Sequence, residues 1–235
     1  MKNKIYIPMA ALIIAIAIIS FSFTNKTSTT APAQDLEQFK NISVGGCWDV
    51  FISNTGKYSI SMEGEQSEID KIDATVKNGT LYISLKKNNM NCNGKVKIFV
   101  STTQLQRVDL GGSGNIKLES KFTNTESMDF SVAGSGTIEG EVSSPDIDAD
   151  IAGSGDIKLK GDSKSLDVDI AGSGNFNGED LSCDNSDIDI SGSGSVRVKV
   201  NSKLDVEIAG SGDVVYTGEP VVTKSIAGSG NVRKN

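Results

Sequence analysis

From residue 106 to the end of the chain, apolar and polar residues alternate in short runs, and the runs recur in phase. "LDVDIAGSGNFNG" at 166–178 returns as "LDVEIAGSGDVVYTG" at 204–218. A period of two marks a half-buried strand, because successive side chains leave opposite faces of the backbone. Gly-Ser-Gly triplets interrupt the alternation at Gly112, Gly134, Gly153, Gly172, Gly192, Gly210 and Gly228, so copies stand 18 to 22 residues apart. Aligned on the first glycine, the copies form apolar columns. Leu110, Val132, Ile151, Ile170, Ile190, Ile208 and Ile226 lie two residues before it. Val108, Phe130, Ala149, Val168, Ile188 and Val206 lie four before it, with Lys224 breaking that column. Ile116, Ile138, Ile157, Phe176, Val196, Val214 and Val232 lie four after it.

Each repeat is therefore two short strands joined at a corner, and one repeat cannot bury both alone. Stacked repeats can, with neighbouring coils hydrogen-bonded at about 4.8 Å. The pattern predicts an all-β fold, a parallel β-solenoid of β-helix type with coils of about 18–22 residues, over 106–235. Glycine marks the corner because positive φ and close backbone stacking are needed there. The small polar residue after each triplet, such as Asn115, Asp156 or Asn175, is placed to hydrogen-bond the corner or its stacked neighbour.

Residues 39–105 are strand-like without the repeat, a less regular β segment continuous with the solenoid. Within it, Asn78-Gly79 separates two alternating runs and predicts a hairpin over 72–86, since both central residues of a type I′ turn take positive φ. Residues 24–38 lack periodicity and read as a spacer. Residues 1–23 carry lysines followed by an uncharged apolar run from Ile5 to Phe23, the pattern of an export signal. The run is long for a cleaved signal and just long enough to span a bilayer, so cleaved signal and anchor both stay open; membrane contact is expected only through this segment if it is uncleaved.

Composition agrees with β structure, with 25 glycines against 4 prolines. A net charge of −7 without a basic cluster argues against nucleic-acid binding. The chain contains no histidine, which removes His-based nucleophile activation, His general bases and His-containing zinc sites. No glycine-rich turn opens an amphipathic helix, so phosphate-cradling loops are not expected, and the spacing does not fit the nonapeptide calcium roll. Three cysteines in an exported chain leave one unmatched: Cys47 and Cys92 are the candidate disulfide with Cys183 alone, the alternative being three buried thiols. Trp48 and Phe51 are expected in the core rather than on a sugar-stacking platform.

The most distinctive chemistry is acidic. Five and three residues before each first glycine, opposite the apolar columns, ten of fourteen positions are carboxylates. Stacking would align them in two ladders of like charge. One reading is an ordinary solvated face, neutralised by neighbouring basic columns containing Lys117, Lys158 and Arg197. The other is a Ca²⁺-collecting ladder centred on Asp148, Asp150, Asp167, Asp169, Asp187 and Asp189, because calcium takes oxygens from several carboxylates. No catalytic residue and no organic cofactor is expected.

The combination of "FKNISVGGCWDVFIS", "VKNGTLYIS", repeated "AGSGDI"-like units and the closing "YTGEPVVTKSIAGSGNVRKN" resembles the Bacteroidetes family called putative auto-transporter adhesin, head GIN domain, over residues 39–235. The resemblance implies a β-helical fold and a place in the cell envelope, whether periplasm, outer membrane or cell surface. The expected function is a non-enzymatic surface for an envelope, glycan or protein partner. The alternative is a carbohydrate-active β-helix enzyme, either polysaccharide lyase or hydrolase.

Overall fold

Alternating Val, Ile and Asp residues have only one way to hide their apolar half here, by facing a shared interior coil after coil. A computed structural model describes residues 29–86 and 92–235; the expected export segment, residues 1–23, lies outside the described residues. The chain forms β1 (Thr29–Asp35), β2 (Asn41–Gly46), β3 (Asp49–Ser53), β4 (Ser59–Gly64), a short helix α1 (Gln66–Ile69), β5 (Ile72–Lys77), β6 (Thr80–Leu85) and β7 (Lys97–Ser101). It continues with β8 (Arg107–Gly112), β9 (Asn115–Leu118), β10 (Phe122–Thr123), β11 (Ser127–Gly134), β12 (Thr137–Gly153), β13 (Asp156–Gly172) and β14 (Asn175–Gly192). β15 (Ser195–Gly210), β16 (Asp213–Thr217), β17 (Val221–Gly228) and β18 (Asn231–Lys234) complete it. These strands wind into a parallel-rich β-solenoid of about seven turns, with coils about 19 residues apart.

The apolar columns meet inside. Leu110, Val132, Ile151, Ile170, Ile190 and Ile208 are each 2% exposed or less, and the column headed by Ile116 is buried to its end at Val232. Register is strict: Ile151 stands on Ile170, Ile170 on Ile190 and Ile190 on Ile208. A one-residue slip would turn every Asp inward, so the alternation itself locks the coils.

The triplets are corners. All seven first glycines have φ between +120° and +140°. Each corner also accepts a hydrogen bond from the next: Ser154 N–H donates to the Gly134 carbonyl and Ser173 N–H to that of Gly153, both at 2.8 Å. The polar residue after the triplet bonds its stacked neighbour where chemistry allows, as Asn175 Nδ2 donates to Asp156 Oδ1 at 2.8 Å.

The N-terminal segment is more solenoidal than its text. Strands β2 and β3 lie in register with β8 and β9, pairing Gly46 with Gly112 and Asp49 with Asn115. Gly46-Cys47-Trp48-Asp49 is thus a further corner, in which Trp48 takes the place of the third-position glycine and is 2% exposed. On their other side β2 and β3 carry β6 and β7, again parallel. The coil built from β2 and β3 is therefore sandwiched between two coils made later in the chain. Antiparallel strands then close this end: β5 pairs with β6 and β4 with β7. The β5–β6 turn is the expected hairpin, with Asn78 at φ 51° and Gly79 at φ 74°. Thr29–Asp35, within the stretch read as spacer, pairs with β4 as an outer strand of the cap. Pairing of this kind uses backbone groups and needs no hydrophobic periodicity, which is why the text does not announce it.

Candidate functional site

The alternation that fills the interior also fixes what the opposite side presents. On the strand before each triplet the register brings Asp129, Asp148, Asp167, Asp187 and Asp205 into one row. The same pairing sets Asp150, Asp169, Asp189 and Glu207 in a second row. Adjacent rungs are separated by one strand spacing, about 4.8 Å, and point the same way.

Such proximity costs free energy, and the side chains register it. Burial against the sheet, and after it the charges of neighbouring carboxylates, push Asp148, Asp167 and Asp169 above the usual Asp range. Asp109 is raised too, first by burial, with Arg107 pulling in the opposite direction. Relief is concentrated at the ends of the face. Arg107 pairs with Asp129 at 2.7 Å. At the other end Lys203 donates a hydrogen bond to Asp205 and holds its carboxyl below the usual range.

The expected neutralising columns stand elsewhere. Lys117, Lys158 and Arg197 lie beyond the corner on the second strand, a different side of the coil, and serve that side instead: Lys117 pairs with Glu139 at 3.0 Å and Arg197 with Glu179 at 3.9 Å. Among the described residues no salt bridge reaches Asp148, Asp150, Asp167, Asp169, Asp187 or Asp189. Nor do these residues gather. Among the described residues, no three His, Cys, Asp or Glu side chains converge in a way that could hold a metal ion. Parallel strands deliver the carboxylates in two straight rows, whereas calcium takes six to eight oxygens around one point.

Towards the capped end the acidic rows change character. The first row continues from Asp129 through Arg107 and Asn41 to Thr80, and the second from Asp109 through Ser43 to Tyr82. Tyr82 is 45% exposed. These residues, with Gln106, line a shallow polar cleft of about 340 Å³. Sequence reasoning missed this feature, because the cleft joins β2, β6 and β8 across a stacking order that no repeat announces. Arg107, the one basic residue in a row that is acidic from Asp129 to Asp205, was its one visible signal.

The aromatic expectation divides. Trp48 is in the core, but Phe51 faces outward in the row of Lys117, where it stacks on Phe99 with ring centroids 5.3 Å apart and planes at 19°. On β3 Phe51 stands between the inward-facing Val50 and Ile52, so alternation turns it outward, whereas Trp48 fills the corner before the strand.

The sulfurs of Cys47 and Cys92 are joined, tying the first corner to the β6–β7 connection, with Cα atoms 5.8 Å apart. Cys183 is buried and unpaired. Burial, reinforced by Asp184, pushes its thiol up to about 12. It stacks on Ser163, whose hydroxyl donates to the Ser165 carbonyl, and its own thiol donates to the Lys199 carbonyl at 3.4 Å. It is a packed interior residue of β14 rather than a reactive one.

Residues 38–220 match the family model described as putative auto-transporter adhesin, head GIN domain. The crystal structure of a putative adhesin from Bacteroides fragilis superposes with a TM-score of 0.83 at 23% identity, covering 89% of this chain and 98% of that one. A putative lipid binding protein from Parabacteroides distasonis gives 0.72 at 24% identity over 90% and 98%. A putative adhesin from Parabacteroides merdae gives 0.72 at 20% identity over 90% and 97%. No curated protein matches the chain.

Proposed function

Because the chain belongs to the head GIN domain family of putative auto-transporter adhesins, we propose that it is a non-enzymatic, exported interaction protein of the cell envelope or surface. It engages a glycan or protein partner through the acidic face and the polar cleft at the end of that face. Export rests on the basic-then-apolar run of residues 1–23. Among the described residues no helix is long and apolar enough to cross a membrane.

One observation carries the reading. The first outward row keeps a carboxylate in every coil from Asp129 to Asp205, and changes towards the cap to Arg107, Asn41 and Thr80, where Tyr82 stands in the second row. A repetitive face presents one chemistry over a long surface, which suits attachment. An exposed aromatic beside a guanidinium, amides and hydroxyls supplies stacking and hydrogen bonding at a defined spot. No observation supports the carbohydrate-active enzyme.

The test is a glycan array and an envelope pull-down with the purified protein, in parallel with Tyr82→Ala and Arg107→Ala. Loss of the captured partner in both variants, with unchanged melting, is the expected result. New reducing ends or unsaturated sugars after incubation with polysaccharides would overturn the reading in favour of catalysis.

A further inference from the structure

The two ends of the solenoid are finished differently. Antiparallel β4 and β5, with β1 outside β4, cover one end. At the other end β17 pairs only with β15 and β18 only with β16, so among the described residues their outer edges carry unpaired N–H and C=O groups. Beside that edge the core is unfinished: Ile226, stacked on Ile208, is 37% exposed, and Val222, stacked on Leu204, is only partly buried. An exposed edge continuous with an apolar core is a template for another strand.

This coil departs from the others at two inward-facing places. Lys224 stacks on Val206, in the column that otherwise holds Val108, Phe130, Ala149, Val168 and Ile188. Lys234 stacks on Tyr216, which stacks on Val198, in the column of Leu118 and Leu159. Both lysines are exposed, and Lys234 donates a hydrogen bond to Glu219. A further coil laid on this end would have to bury both ammonium groups. The acidic rows also stop here, with Thr223 and Ser225 in their last places, so carboxylate repulsion would not keep two such ends apart.

We propose that Lys224 and Lys234 guard the outer side of the last coil, keeping its open strand edge and exposed core from pairing with a second copy of this chain. Two copies meeting at this end are related by a twofold axis, which sets β17 antiparallel to its counterpart and closes at a dimer. Head-to-tail growth is blocked, because the opposite end is capped by antiparallel strands.

Sedimentation velocity on the purified protein tests the proposal. The parent protein and the charge-keeping double variant Lys224→Arg/Lys234→Arg sediment as monomers at micromolar concentration. Lys224→Ile/Lys234→Leu sediments at twice the monomer mass, with Lys224→Ile alone as the milder case. Both positions are exposed, so the variants fold, and circular dichroism melts verify it. A monomeric Lys224→Ile/Lys234→Leu protein, a dimeric parent, or an open-ended series of species would each overturn the proposal.

Discussion

Gly172 lies so closely over Gly153 that a Cβ added to it would stand 2.3 Å from the Gly153 carbonyl oxygen. The same glycine has φ +134°, a region that side chains other than hydrogen rarely tolerate. Two constraints thus fall on one atom, and the obstruction is backbone that belongs to a hydrogen-bonded corner and cannot swing away.

Gly172→Val and Gly210→Val are accordingly expected to destabilise the protein by several kcal/mol. The strained backbone alone accounts for roughly 1–3 kcal/mol, and the collision with the coil before adds to it. Urea denaturation measures the loss; an unchanged midpoint for both variants contradicts the corner geometry.

Position along the stack decides the effect of a buried charge. Ile170→Asp places an unpaired carboxylate in the interior and is expected to cost more than about 4 kcal/mol or to abolish folding. Ile226→Asp, in the same column but on the open coil, is expected to change the midpoint little. Equal losses at the two sites would mean that the last coil is covered.

The acidic face gives stability an unusual pH dependence. Asp148, Asp167 and Asp169 hold their protons more tightly folded than unfolded. Their protonation therefore favours folding: this contribution is full below the unfolded Asp value of about 3.9 and is lost as pH rises through the raised folded values. Asp167→Asn should raise stability near pH 7 by about 0.2–1 kcal/mol for the like-charge contact removed, with the gain vanishing near pH 3. Asp205, whose carboxyl is lowered by Lys203, has the opposite sign: its contribution is present above the unfolded value and lost on acidification. Asp205→Asn should lower the melting temperature at neutral pH.

Two straight rows of carboxylates do not surround a cation, so ordinary screening is the expected effect of a divalent ion. Millimolar Ca²⁺ is expected to raise the melting temperature no further than Mg²⁺ at matched ionic strength. A saturable calorimetric heat with Ca²⁺ that disappears in Asp167→Asn/Asp169→Asn would establish a calcium ladder instead.

The cysteines make a paired prediction. Cys47→Ser removes the staple between the first corner and the β6–β7 connection and should cost about 2–4 kcal/mol. In the native protein at neutral pH, Cys183 should resist alkylation, since burial keeps it a thiol. Denaturation without reductant should expose one thiol per chain.

Wherever structure follows from spacing, it was legible in the sequence. The columns through Ile170 and Phe176, the glycine corners and the Asn78-Gly79 turn each depend on residues within one coil or one hairpin. What escaped depends on which coils are neighbours. Trp48 hid a corner because a bulky indole stands where other corners have glycine, and nothing local shows that Thr80–Leu85 lies beside Asn41–Gly46. The acidic rows were readable as rows, but not their neutralisation. That Lys117 faces away from Asp129 depends on the turn of the chain at Gly112, Ser113 and Gly114, not on spacing.

The sandwiched coil gives assembly a direction. Asn175 finds its partner Asp156 only 19 residues back, on a strand already laid down when it arrives. Asn115 must reach Asp49 across 66 residues, over a cap that has to fold in between. Closing that long loop is the entropically demanding step, and each later coil adds to a finished template at a small, repeated cost. The slow event therefore belongs to the stapled end, which leaves the ribosome before the repeats do. From there the solenoid zips towards the open coil, in the order in which it is synthesised.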